Sequence, residues 1–266
     1  MKVKYKNTKD DFVKALSDHE PHFKGMNRLA VYYDISYDIL REYLPPPLEP
    51  GDTPEVELMF FDTPPQGVVR EPAEVIGMLP RGHREFAIFL SAKYKEYRGY
   101  YCPYMYVAWD DHMASGREIH GFPKKIANLR LDRFKDEVWA SAERGGIELV
   151  SVKAKLTQRL PAGEMPKPIP HFALKFLPEI GGKVGFVGKP QIVMTQGKAK
   201  LNGELWNGTA EITFKESDYD PVYELKPAGK IKRVVFATDL DYSFKGQVIA
   251  ECKPEDIYPF VCFRYR

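Results

Sequence analysis

EVWASAERGGIELVSVKAKL, residues 137–156, decides the fold class of this chain. Val138, Ala140 and Ala142 alternate with Trp139 and Ser141. After Arg144-Gly145-Gly146, a second run sets Val150, Val152, Ala154 and Leu156 on one face. Successive side chains of a strand point to opposite faces, so two alternating runs around a glycine turn read as a β-hairpin. Similar signs recur further along. Asn202-Gly203 and Asn207-Gly208 are hairpin-turn signals, and the run after them carries Ala210, Ile212 and Phe214 on one side. Residues 230–238 and 246–251 also read as strands, and the 13% aromatic content suits pleated, half-buried surfaces. Helices are few and short. Thr8 can cap one with Phe12, Val13 and Leu16 on a single face. Ser36 can cap another, with Ile39, Leu40, Tyr43 and Leu44 inward, and Pro45-Pro46-Pro47 stops it. The four prolines of residues 161–170 predict a stiff loop. No strand–helix rhythm runs through the chain, which argues against a doubly wound parallel sheet.

At 266 residues the chain is long enough for a sizeable core. Its 39 basic and 37 acidic residues give a net charge of +2, which offers no reason to expect nucleic acid or an anionic membrane as a partner. No apolar run is long enough to span a bilayer. The polar start, MKVKYKNTKDDFVKAL, lacks the apolar stretch of a signal peptide, so the expected location is the cytoplasm. Cys102, Cys252 and Cys262 are too few for a disulfide framework and match no common zinc spacing; they are expected to be reduced thiols.

Several tempting motifs do not carry chemistry. The run Gly181-Gly182-Lys183-Val184-Gly185-Phe186-Val187-Gly188-Lys189 lacks the Ser or Thr of a phosphate-binding loop and is followed by Pro190 and strand-like residues, so it reads as a loop or hairpin. The six histidines are scattered, with no helical metal-ligand spacing, and Asp110-Asp111-His112 reads as a polar loop rather than a metal site. No Gly-x-Ser-x-Gly elbow is present. No metal or cofactor is expected.

The run GREIHGFPKKIAN, residues 116–128, is different. A lysine is a nucleophile only when its amine is uncharged, and an exposed one, with a pKa of about 10.4, is almost wholly protonated at neutral pH. Removal from water and a nearby like charge both lower that value. Here Ile119, Phe122, Pro123 and Ile126 surround Lys124, and Lys125 stands beside it. If residues 123–126 are extended, the two lysines point to opposite faces and desolvation of Lys124 dominates; if they begin a helix, the two ammonium groups are closer.

The run resembles the acetoacetate decarboxylase family in Gly116-Arg117-Glu118 and in Gly121-Phe122-Pro123-Lys124-Lys125. The similarity extends upstream to residues 98–106, RGYYCPYMY, and to Leu40-Arg41 with Leu44-Pro45-Pro46-Pro47-Leu48-Glu49. Downstream it extends to residues 172–178, FALKFLP. It implies one domain over residues 1–266, built as an α+β, β-dominated antiparallel barrel or cone with a few peripheral short helices. It also implies a cofactor-independent lyase that assembles as a homo-oligomer. In that family the first lysine of the pair forms a Schiff base with a β-keto acid, a role that falls on Lys124, with Lys125 as its tuning partner. Acetoacetate decarboxylase is itself the standard illustration of a lysine activated by an apolar pocket or a neighbouring cation, so that activation comes from the resemblance.

The resemblance also sets expectations for the facing residues. Glu85 aligns with an acidic residue near the lysine and would handle protons. The arginine that meets the substrate carboxylate is replaced by Met26, and Arg28, two residues on and therefore on the same face of a strand, can take its place. A second acidic position is flanked by Glu55 and Glu57, and His120 and Phe122 would line the substrate site. The implied function is decarboxylation of acetoacetate or a related β-keto acid to a methyl ketone. The alternatives are an aldolase-dehydratase or cyclase acting on 2-oxo acids such as pyruvate, and a non-catalytic ligand-binding barrel. Relatives of the aldolase kind tend to replace the glutamate kept here as Glu118, which favours decarboxylation.

Overall fold

The computed structural model describes residues 21–65, 68–69, 82–180 and 185–265. The helix expected after Thr8 and residues 181–184 of the glycine-rich run lie outside them. The strands are β1 (His22–Asp34), β2 (Glu49–Pro50), β3 (Glu55–Asp62), β4 (Val68–Val69), β5 (Arg84–Tyr94), β6 (Tyr97–Val107) and β7 (Lys124–Ile126). They continue with β8 (Asn128–Phe134), β9 (Glu137–Arg144), β10 (Ile147–Leu160), β11 (His171–Lys175), β12 (Gln191–Leu201), β13 (Leu205–Phe214) and β14 (Arg233–Glu251).

Seven of these strands close on themselves in the order β1-β3-β5-β6-β11-β12-β14, because β14 pairs back to β1. The barrel strands explain why their sequences read as nearly unbroken apolar runs. On β5, Phe86, Ile88 and Leu90 face outward into the larger core while Glu85, Ala87 and Phe89 face the lumen. A wall buried on both sides needs apolar residues on both. The outer wing β13-β10-β9-β8 packs its one apolar face on the barrel, with Val138, Ala140, Ala142, Val150 and Val152 in the shared core. One-sided burial is what produces the clean alternation of residues 137–156. Their hairpin forms as expected, with Gly145 and Gly146 both at positive φ (61° and 80°) in the two-residue turn that suits a right-twisted pair.

Two parallel pairings interrupt the otherwise antiparallel sheet: β11, within the barrel, and β7, beside it, each run parallel to β6. The link from β6 to β7 is helix α2 (Asp110–Ser115), continued by a π-helical turn, Gly116–His120. Residues 110–112 are therefore helical, not the polar loop expected. Helix α1 (Tyr37–Tyr43) begins at Ser36, whose hydroxyl accepts from Ile39 N at 3.2 Å, and buries Leu40 and Tyr43. Two short C-terminal helices, α3 (Pro254–Ile257) and α4 (Cys262–Tyr265), close the molecule. Among the described residues no helix is long and apolar enough to cross a membrane.

The Asn-Gly signals correspond to something other than hairpins. The strands flanking Asn202-Gly203, β12 and β13, both pair with β14 rather than with each other, and Asn207-Gly208 lies within β13. Gly208 faces an irregularity in β10 between Leu156 and Gln158, where a side chain would meet the Lys155 carbonyl at 2.2 Å. A glycine inside a strand marks a bulge or a close backbone approach as readily as a turn marks a hairpin. The runs at 230–238 and 246–251 are likewise parts of the single strand β14, whose first half serves β1 and β13 and whose second half serves β12.

Candidate active site

The run 116–128 folds so as to deliver one lysine into the barrel. The π turn ends at Gly121, whose φ of +81° is the left-handed value glycine adopts without strain. Its Cβ, if it had one, would lie 2.7 Å from Lys175 Cα. Arg264 of α4 donates to the Gly121 carbonyl at 3.0 Å and to the Leu174 and Phe176 carbonyls, fixing this corner. The chain then enters β7 in the extended form, so Lys124 and Lys125 take opposite faces.

Lys124 faces the lumen. It is 6% exposed, and its Nζ donates to Glu85 Oε2 at 2.8 Å. Gly116 packs directly over it: a Cβ there would come within 2.5 Å of Lys124 Cδ and Cε. The apolar surroundings are Met105, Phe122 and the rest of the lumen cluster. Ile126, expected among them, is instead 41% exposed. Lys125 faces the outer core, where its Nζ donates to Asp220 Oδ1 at 2.7 Å; Tyr106 and Arg144 donate to the same carboxylate. The two ammonium groups are thus separated by the strand and separately compensated.

Glu85 is held from both sides. Besides Lys124, His83 Nε2 lies 3.0 Å from the same Oε2, and the His83 and His112 rings meet through their Nδ1 atoms. Burial pushes the Glu85 carboxyl up, but the Lys124 charge, together with the hydrogen bond and charge of His83, outweighs it and holds the group at about 2. Asp220 behaves alike: burial raises it, and Lys125, Tyr106 and Arg144 bring it below its ordinary value.

Arg28 also faces the lumen, on the same side of β1 as Met26 despite irregularities in the pairing of this strand with β14. Its Nη2 is paired with Glu57 and its Nε donates to Met59 Sδ at 3.2 Å. Burial lowers its basicity, and Glu57, together with Tyr32 and Tyr242, more than restores it. Of the two flanking glutamates, Glu57 lines the cavity, and Glu55 accepts from the Tyr100 hydroxyl at 2.6 Å. His120 and Phe122 both line the cavity, with ring centroids 6.4 Å apart, whereas Glu118 is exposed on the π turn. Of the expected site residues, Lys124, Glu85, Arg28, His120 and Phe122 meet in one lumen; Lys125 does not. Sequence reasoning missed His83 and His112, 29 residues apart, and Arg264. The only sequence hint of His83 was its place two residues before Glu85, on the same face of an extended segment.

The acetoacetate decarboxylase family model matches residues 6–251. The chain belongs to the acetoacetate decarboxylase family. A protein of Paraburkholderia phytofirmans named acetoacetate decarboxylase is 28% identical over 210 residues, covering 76% of this chain and 77% of that protein. Among solved structures, acetoacetate decarboxylase from Legionella pneumophila superposes with a TM-score of 0.73 at 21% identity, covering 87% of both chains. The enduracididine biosynthesis enzyme MppR, solved with pyruvate, superposes with a TM-score of 0.71 at 19% identity, covering 87% of this chain and 91% of that one. The barrel is therefore the fold of the acetoacetate decarboxylase family, and a lyase of the decarboxylase kind is the activity the family supports.

Proposed function

We propose that this chain is a cofactor-independent decarboxylase of β-keto acids that works through a Schiff base on Lys124. The observation that carries the reading is the placement of Lys124 Nζ, withdrawn from water at the wall of an apolar lumen and 2.8 Å from a carboxylate that can take its proton. Arg28, in the same lumen, supplies a cation for the substrate carboxylate.

In this mechanism Lys124 passes a proton to Glu85, and the free amine attacks the keto carbon. Glu85 is suited to that transfer because its proton affinity depends on its partner. Burial pushes the carboxyl up, and the largest opposing influence is the Lys124 charge. Once that charge is gone, the buried carboxylate holds the proton readily. Returning the proton to the carbinolamine oxygen releases water and leaves a protonated imine. The electrons of the bond to the carboxyl carbon then flow into the imine, CO₂ departs, and an enamine remains. Protonation of the enamine carbon and hydrolysis give the methyl ketone and restore Lys124. Glu57 beside Arg28 tempers the grip on the carboxylate, which suits a group that must lose its charge in the transition state.

The test is to incubate the protein with acetoacetate and with pyruvate, add borohydride, locate any adduct by mass spectrometry and monitor CO₂. A Lys124 adduct with CO₂ release from acetoacetate is expected. An adduct with pyruvate that condenses with an aldehyde without CO₂ release would move the assignment to aldolase-dehydratase chemistry. Absence of any adduct would overturn the Schiff base and leave a ligand-binding barrel.

A further inference from the structure

The lumen continues past Lys124 into an apolar end. About 110 Å³ is open to the centres of water molecules, several times the roughly 10–15 Å³ that one water needs. Its contents are ordered along the strands. On β3 the lumen-facing residues run Glu57, Met59, Phe61, and four residues of strand cover about 13 Å. The Arg28 guanidinium lies at the Glu57 and Met59 end. Glu85, the partner of Lys124, stands directly across from Phe61. Beyond that point the wall is aromatic. Phe23 meets Phe61 edge-on at 5.5 Å and stacks with Phe244 at 6.3 Å, and Phe244 meets His120 at 4.9 Å.

A substrate whose carboxylate is at Arg28 and whose keto carbon is on Lys124 therefore directs its remaining substituent at this wall. In acetoacetate that substituent is a methyl group, which leaves the rings of Phe23, Phe61 and Phe244 uncovered. An apolar cavity without matching atoms forfeits its dispersion contacts. The geometry points to a β-keto acid with a medium-length apolar tail, seated along Phe61, Phe23 and Phe244, as the substrate class of this site. The inference rests on the Schiff-base reading of Lys124.

It is tested with the purified protein on acetoacetate and β-ketooctanoate, two dialkyl ketones of like intrinsic reactivity. CO₂ release above background and borohydride trapping are measured for each. The expected kcat/KM for β-ketooctanoate exceeds that for acetoacetate by more than tenfold, each added methylene being worth about fourfold when fully buried. Phe244→Ala should lower that ratio about tenfold while the Lys124 adduct still forms. An equal or lower kcat/KM for β-ketooctanoate, with acetoacetate trapped on Lys124, would overturn the tail assignment and leave the Schiff base standing. Failure to trap either substrate would overturn both.

Discussion

Lys124 and Lys125 are adjacent in sequence and nearly equal in burial, at 6% and 5% exposed, and each meets a buried carboxylate at 2.8 or 2.7 Å. Burial and pairing therefore do not distinguish a nucleophile from a structural cation. The surroundings of the two pairs do. Lys125 and Asp220 are packed in the outer core, and the carboxylate is saturated by Lys125, Tyr106 and Arg144. Lys124 borders an open lumen, and among the described residues the contacts of Glu85 with Lys124 and His83 both fall on one oxygen, with His112 behind His83. A reactive lysine needs an adjoining space for substrate and a partner with spare capacity for a proton.

The largest effect should come from Lys124→Met. Decarboxylation and the borohydride adduct should both be lost, with a rate decrease of about 10⁴-fold or more. Lys167, the other lysine bordering the cavity among the described residues, is exposed to water and does not take over. Retention of more than a few per cent of activity would break the contrast. Lys125→Met should act on stability instead. Removing one partner of a buried pair costs about 3–5 kcal/mol, seen as a fall of about 10 °C in Tm. The folded fraction, measured by active-site trapping, should keep near wild-type turnover, and adding Asp220→Leu should restore part of the Tm.

Acidification tests both pairs together. A carboxyl with a depressed folded-state value stabilises the fold above its ordinary value and loses that contribution as pH falls through the folded one. For Glu85 the window runs from 4.5 down to about 2, corresponding to about 3 kcal/mol. Asp220 shifts in the same direction. Urea midpoints measured across this range should fall steeply in the wild type and less steeply in Glu85→Gln. The smallest expected change belongs to Gly116→Ala. The new methyl would meet Lys124 Cδ and Cε at 2.5 Å, and the flexible lysine tail would move aside. We expect kcat to drop about tenfold with Tm almost unchanged.

The sequence revealed those parts of this molecule that depend on local order. Period two with a Gly-Gly turn identified the hairpin β9–β10, and Ser36 marked the start of α1. The Lys124 run identified the family. What remained hidden depends on distant partners. Nothing local to Asn202-Gly203 says that β14 lies between the strands it joins, so a turn between non-neighbouring strands reads as a hairpin. The choice between Glu55 and Glu57 is made by the pairing of β3 with β1, and the contact of His83 with His112 by the return of α2 over the barrel end. The direction of each lysine was conditional on backbone geometry, and the extended alternative is the one observed.

The π turn Gly116–His120 has a consequence for how such a site can arise. A π turn holds one residue more than an α-helix needs to cover the same path. Removing a residue from it would rotate the downstream chain by about 100°, and β7 would begin one position out of step. A strand displaced by one exchanges its faces, so Lys125 would enter the lumen and Lys124 would turn to the opposite face, at the place now held by Pro123. On the proposed Schiff-base reading, the identity of the reactive amine is in this sense a matter of counting: five residues in one turn select between two lysines.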